Sequence, residues 1–216
     1  MALTYLAGGG ALLPEDAWER RPELAFALEL HRAECEFLTG ALAEAEDRLA
    51  ELSRCAVSLP DLAVVARLRV ELFTTLGRAD RAVDVCLEYL RHVGIAWLMH
   101  PTKEEVRQEY DRIWHQIGSR SIEELADLPS MTDPEWRATM DVLSAVVSPA
   151  QWTDKNLRFL VIGRIVNLSL EYGDSDALCV AYAWRRAWTG IQRLQGGVSL
   201  RPARPRPGGA ARARSI

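Results

Sequence analysis

Gly40-Ala41-Leu42-Ala43-Glu44-Ala45 and Gly77-Arg78-Ala79-Asp80-Arg81-Ala82 align without a gap, 37 positions apart, and each sits between two amphipathic stretches. Ahead of Gly40, Leu24, Leu28, His31, Cys35 and Leu38 recur at helical spacing; behind it, Leu42, Ala45, Leu49 and Leu52 do the same. Ahead of Gly77 the stripe is Leu62, Val65, Leu72 and Leu76, and behind it Ala79, Ala82, Val83, Cys86 and Leu90. Apolar residues three and four apart share one helix face, so 23–95 reads as two helix–glycine–helix hairpins. A tight turn after a helix needs φ > 0, which glycine adopts without a Cβ clash, so Gly40 and Gly77 are the expected turn residues. Ala45 and Ala82, one turn into the second helices, let the paired backbones approach. The period lies close to the roughly 34 residues of a tetratricopeptide repeat. Neither hairpin can bury its stripe alone, so the pattern predicts an all-α fold in which tetratricopeptide-like hairpins stack as an α-solenoid. Two ordinary hairpins in a bundle would satisfy the same stripes.

Working outward, residues 1–22 read as a helix end and connector. Gly8-Gly9-Gly10 lacks the Lys-Ser/Thr that a phosphate loop uses to grip phosphate and magnesium, and Trp18 is expected to pack on the first hairpin. From 96 to 194 further stacked helices are predicted. Thr102 with Glu105, and Ser121 with Glu124, have capping-box spacing. Val106, Tyr110, Ile113, Trp114 and Ile117 form one face that ends at Gly118, and a short helix through Ile122, Leu125 and Leu128 stops at Pro129. Thr132-Asp133-Pro134 starts another helix, with Trp136, Met140, Leu143 and Val147 spaced along it to Pro149. Thr153-Asp154 opens the most apolar helix, which runs to Tyr172 and Gly173, the third expected turn glycine. Being apolar nearly all round, it belongs at the centre of the second half. A last helix is expected from Asp176 to about Leu194.

The net charge of −4 conceals an asymmetry: Arg201, Arg204, Arg206, Arg212 and Arg214 lie beyond Leu200 with no acid, so the first 199 residues carry −9. So acidic a body argues against nucleic-acid binding, which needs a basic face for phosphates. Residues 195–216, rich in Arg, Pro and Gly, have too little apolar surface to offset the entropy of ordering, and a disordered tail is predicted. The four cysteines, Cys35, Cys55, Cys86 and Cys179, form no Cys-x-x-Cys pair, which suits a reducing compartment. Neither a basic-then-apolar leader nor an apolar run of about 20 residues is present, so a cytoplasmic protein without membrane insertion is expected.

Catalytic patterns are missing from the text. The histidines His31, His92, His100 and His115 make no metal-binding pair on one helix face, and His31 on its stripe reads as a packed core histidine. There is no nucleophile elbow, kinase loop or dinucleotide motif. No enzyme activity and no cofactor are therefore expected. Arg164 and Asn167 interrupt the apolar helix near Tyr172. They form either a polar binding spot or a satisfied core pair, the latter requiring an acidic partner for the guanidinium.

Four motifs carry a resemblance: Leu12-Leu13-Pro14-Glu15-Asp16-Ala17-Trp18, Ala33-Glu34-x-x-Phe37-Leu38-x-Gly40, the run from Ser121 through Met131-Thr132-Asp133-Pro134, and Val166-Asn167-Leu168-Ser169-Leu170-Glu171-Tyr172-Gly173. Across roughly residues 3–184 the chain resembles the helical-repeat region of bacterial hybrid signalling proteins. Those proteins join a Ser/Thr kinase domain, an AAA ATPase domain, this helical stretch, a GAF sensor domain and a histidine kinase. The resemblance implies a non-catalytic relay segment, present here as a fragment, whose partner is a protein or a neighbouring signalling domain. It brings no catalytic residue to this chain. A free-standing tetratricopeptide-type scaffold, or a small helical enzyme with a site near Arg164, Asn167 and Tyr172, are the alternatives. Sequence assigns no oligomeric state.

Overall fold

A computed structural model of the chain describes residues 2–12, 14, 16–118, 120 and 128–173. The expected helix through Ile122, Leu125 and Leu128 (Leu128 apart), the helix expected at 176–194, the Ser121 capping box, Cys179 and the Arg/Pro tail lie outside the described residues. Within them the fold is all-helical, with no β-strand. The helices are α1 (Ala2–Ala11), α2 (Ala17–Arg20), α3 (Pro22–Thr39), α4 (Leu42–Cys55), α5 (Leu59–Thr75), α6 (Ala79–His92), α7 (Lys103–Ile117), α8 (Pro134–Thr153) and α9 (Lys155–Tyr172).

The glycine turns form as their chemistry requires. Gly40 and Gly77 take φ of 84° and 69°, and a Cβ on either would meet nothing within 4 Å, so backbone conformation alone demands glycine there. After each, an N–H reaches back five residues to close the helix: Ala41 to the Glu36 carbonyl at 2.9 Å and Arg78 to the Phe73 carbonyl at 2.8 Å. Gly94 repeats the device, with Ile95 N–H bonded to the Leu90 carbonyl at 2.8 Å.

Helix α5 packs against α4, α6 and α8 and is buried on several sides through Val65, Leu68, Val70, Leu72 and Phe73. Helix α8 lies against both α5 and α6, and the Tyr89 hydroxyl on α6 donates to Thr139 Oγ1 on α8 at 2.8 Å, Thr139 donating in turn to the Glu135 carbonyl. Stacking does not simply follow chain order, because α7 packs chiefly on α9. Helix α8 also continues through Pro149, where the sequence pattern had ended it, and stops at Thr153.

Helix α3 corrects the sequence pattern most. Leu24 and Leu38 are exposed, at 47% and 80%, and His31 is no core histidine: its side chain is exposed and its Nδ1 lies 3.0 Å from Glu34. The buried face is the opposite one, made by Ala25, Phe26, Ala33 and Glu36. Alanines give that face little hydrophobic signal, and its acids are neutralised from α4. Arg48 donates to Glu36 through Nε at 2.8 Å and Nη2 at 2.9 Å, and its Nη1 pairs with Glu29. These bonds hold the Arg48 guanidinium above its usual range, the Glu36 pair chiefly, against the opposing effect of burial. The α3 stripe that sequence singled out instead faces α1 and solvent. Residues Gly8–Gly10 lie within α1, where a Cβ on Gly9 would stand 3.2 Å from Leu28 Cδ1. Trp18 belongs to α2, which rests on α3, and remains 42% exposed.

Candidate functional site

The helix that carries Arg164 and Asn167 begins at Asp154, whose Oδ1 accepts from the N–H groups of Asn156 at 2.7 Å and Leu157 at 3.0 Å. Its Oδ2 lies 3.1 Å from His100 Nδ1. Burial alone would raise this carboxyl, but the Leu157, His100 and Asn156 bonds outweigh it and leave the group below its ordinary value. Once capped, α9 buries Leu157, Leu160, Val161, Ile165 and Leu168, as its composition predicts.

Glu109 is the acidic partner that sequence could not place. It projects from α7 onto α9 and is 7% exposed. Its Oε1 lies 3.0 Å from Arg164 Nε and accepts from Asn167 Nδ2 at 2.8 Å, while its own backbone carbonyl accepts from the same amide at 2.9 Å. Gly163 makes the approach possible, since a Cβ there would stand 3.0 Å from Glu109 Cγ. Trp97 offers its ring to the Arg164 guanidinium, 5.5 Å from the centroid. Burial pushes the Arg164 pKa down, against the attraction of Glu109. Farther along the seam Arg112 pairs with Glu171 at 2.7 Å, and both side chains are substantially exposed.

Arg164 and Asn167 are thus brought together, and Tyr172 is not. Five residues along a helix turn about 140° around its axis, so Tyr172 leaves Asn167 on another face. Its ring stacks on Trp136 at 4.6 Å between centroids and 20° between planes. Burial chiefly raises the Tyr172 hydroxyl, helped by its hydrogen bond to Glu171. Gly173 closes the helix with φ of 106°, and a Cβ there would come within 2.4 Å of the Pro129 carbonyl oxygen. Gly40 and Gly77 are turn residues remote from this seam in sequence and element.

The seam fastens α7 to α9: one carboxylate pairs with a guanidinium by charge and accepts from an amide, while Arg164 Nε and Asn167 Oδ1 stay buried without a hydrogen-bond partner among the described residues. Glu109 was legible in principle, because it stands three residues after Val106 and four before Ile113, on an otherwise apolar face. Among the described residues no cluster of His, Cys, Asp and Glu is arranged to hold a metal, and no helix is long and apolar enough to cross a membrane. No family model, curated protein or solved structure matches the chain.

Proposed function

We propose that this chain is a non-catalytic helical-repeat segment of a bacterial signal-transduction protein, relaying between kinase or ATPase modules and an output domain. The observation that carries the proposal is the seat of α8. It lies against α5 and α6, where the first helix of a following hairpin would sit, and this supports an array that extends by repetition. The glycine closures after α3, α5 and α6 support the same repeating architecture, and the resemblance over residues 3–184 supplies the signalling context. The segment works by shifting a packed helix array between two arrangements. The α7–α9 seam is a suitable place for that shift, because a polar contact can be broken and remade with less exposed apolar surface than a greasy one.

The test begins with the DNA on both sides of the coding segment and continues with the complete reading frame. Kinase and ATPase sequence upstream, with an output altered by deleting residues 23–95, is the expected result. Flanks coding for unrelated proteins, or an output indifferent to the deletion, overturn the proposal.

A further inference from the structure

Helix α1 has the composition of a buried helix and buries nothing. Its 10 residues, Ala2–Ala11, include no charged side chain, and none of them is buried. A helix apolar on every side belongs between two layers, since a surface helix turns a polar face outward. Helix α3 supplies one of those layers. Leu3, Leu6, Gly9 and Gly10 are half-buried, and a Cβ on Gly9 or Gly10 would stand 3.2 or 3.5 Å from Leu28 of α3. The opposite face, Thr4, Tyr5, Gly8, Ala11 and Leu12 just beyond the helix, is exposed, with Tyr5 at 77% and Leu12 at 87%. Gly8 lies at its middle. Its φ is not positive and a Cβ there would meet nothing within 4 Å, so no contact inside the protomer accounts for a residue that weakens a helix. Glycine at such a place suits the close approach of another backbone.

From this geometry we infer that the outer face of α1 seats a second copy of the chain, the two α1 helices crossing at Gly8 about a two-fold axis. Tyr5 and Leu12 stand on either side of the hollow at Gly8, so the face is its own complement. With the helices antiparallel, Tyr5 packs on Leu12 of the partner subunit and Leu12 on the partner's Tyr5. Charge selects a copy over other occupants. The first 199 residues carry −9, so two copies repel across an acidic face, whereas α1 brings no like charges together. A charged peptide or an anionic lipid surface meets no opposite charge on it. Size sets the strength: 10 helical residues span about 15 Å, and even with half-exposed Leu24, one turn before Leu28, the contact stays below about 1,200 Å², the range of weak and reversible pairs. The inference does not rest on the relay role proposed above.

The test is sedimentation equilibrium of the full chain from roughly 1 to 300 µM, with a monomer–dimer Kd of about 10–100 µM expected. Amide shifts that move with protein concentration should be confined to 2–12 and the α3 positions beside them, 24–31. Tyr5→Glu sets like charges across the two-fold and should raise Kd at least about tenfold, with the circular dichroism spectrum unchanged. Gly8→Leu fills the hollow and should weaken association as much, while the melting temperature of the dilute monomer stays level or rises, because leucine is the better helix former. That opposition of sign is what a merely structural glycine would not produce. A chain that is monomeric throughout, a dimer indifferent to both variants, or concentration-dependent shifts on other helices overturns the inference. Shifts at 2–12 on adding phosphatidylcholine vesicles to a chain that stays monomeric would assign the face to lipid, and overturn it equally.

Discussion

Replacing Glu109 by Gln isolates the charge in the α7–α9 seam. The variant keeps a side chain of the same shape and an oxygen for Asn167 Nδ2, but leaves Arg164 without its paired carboxylate, Glu171 being held by Arg112. The Arg164 side chain is 17% exposed and that of Glu109 8%. Removing one partner of such a buried pair costs about 3–5 kcal/mol. The retained amide and the Trp97 face return about 1 kcal/mol each, so the expected loss is about 2 kcal/mol. For a folded unit of this size that lowers the melting temperature by about 4–8 °C. Urea denaturation followed by circular dichroism measures it, and Arg164→Met supplies the second arm of a double-mutant cycle. Because Arg164→Met also removes the stranded guanidinium, the double variant should be less destabilised than the sum of the singles, by about 1 kcal/mol or more. A Glu109→Gln loss below about 0.5 kcal/mol with additive singles would refute the argument, since that is how an exposed pair behaves.

The turn glycines separate two causes. Gly40→Ala should cost only about 1–2 kcal/mol by urea denaturation, a purely conformational penalty. Gly173→Ala combines a conformation reserved for glycine with a clash on backbone, so it should cost about 3 kcal/mol or more; equal losses would contradict the geometry. Asp154→Ala should destabilise by about 1 kcal/mol at neutral pH. Because the folded carboxyl lies below its ordinary value of about 3.9, that stabilisation is present above pH 4 and disappears as pH falls through the lower folded value. A variant-to-parent difference unchanged from pH 7 down to pH 2, read from urea curves, would be the wrong result. Burial pushes the Cys86 thiol up to about 12, so thiol labelling with site-resolved mass spectrometry should modify exposed Cys55 rapidly and Cys86 only on unfolding. Labelling of both at one rate in the native protein would count against the core assignment.

Local signals in the chain were legible wherever one residue's own conformational preference decides the outcome. Gly40, Gly77 and Gly173 take positive φ, Thr102 and Glu105 form the expected capping box, and Asp133 and Asp154 cap their helices. Stripes were legible where the buried face is also the greasier one: Ala45, Leu49 and Leu52 on α4, and Ala82, Val83, Cys86 and Leu90 on α6. On α3 the same rule chose the wrong side, because Ala25, Ala33 and Glu36 sit inside while Leu24 and Leu38 face out. The seam was half legible: Arg164 and Asn167 stood out as polar interruptions, whereas Glu109 lies more than fifty residues away on another helix.

The amino-acid sequence by itself determined that the chain is helical, where many of its helices start and stop, and which glycines turn it. Those properties follow from caps, φ preferences and spacing within a few residues. Only the tertiary structure decided that α7 skips its neighbours to pack on α9, that α3 turns its alanine and glutamate face inward, and that Glu109 answers Arg164. Each of those depends on a partner distant in the chain. A charge can be buried as readily as a leucine once the opposite charge arrives beside it, and spacing along one helix carries no record of what will arrive.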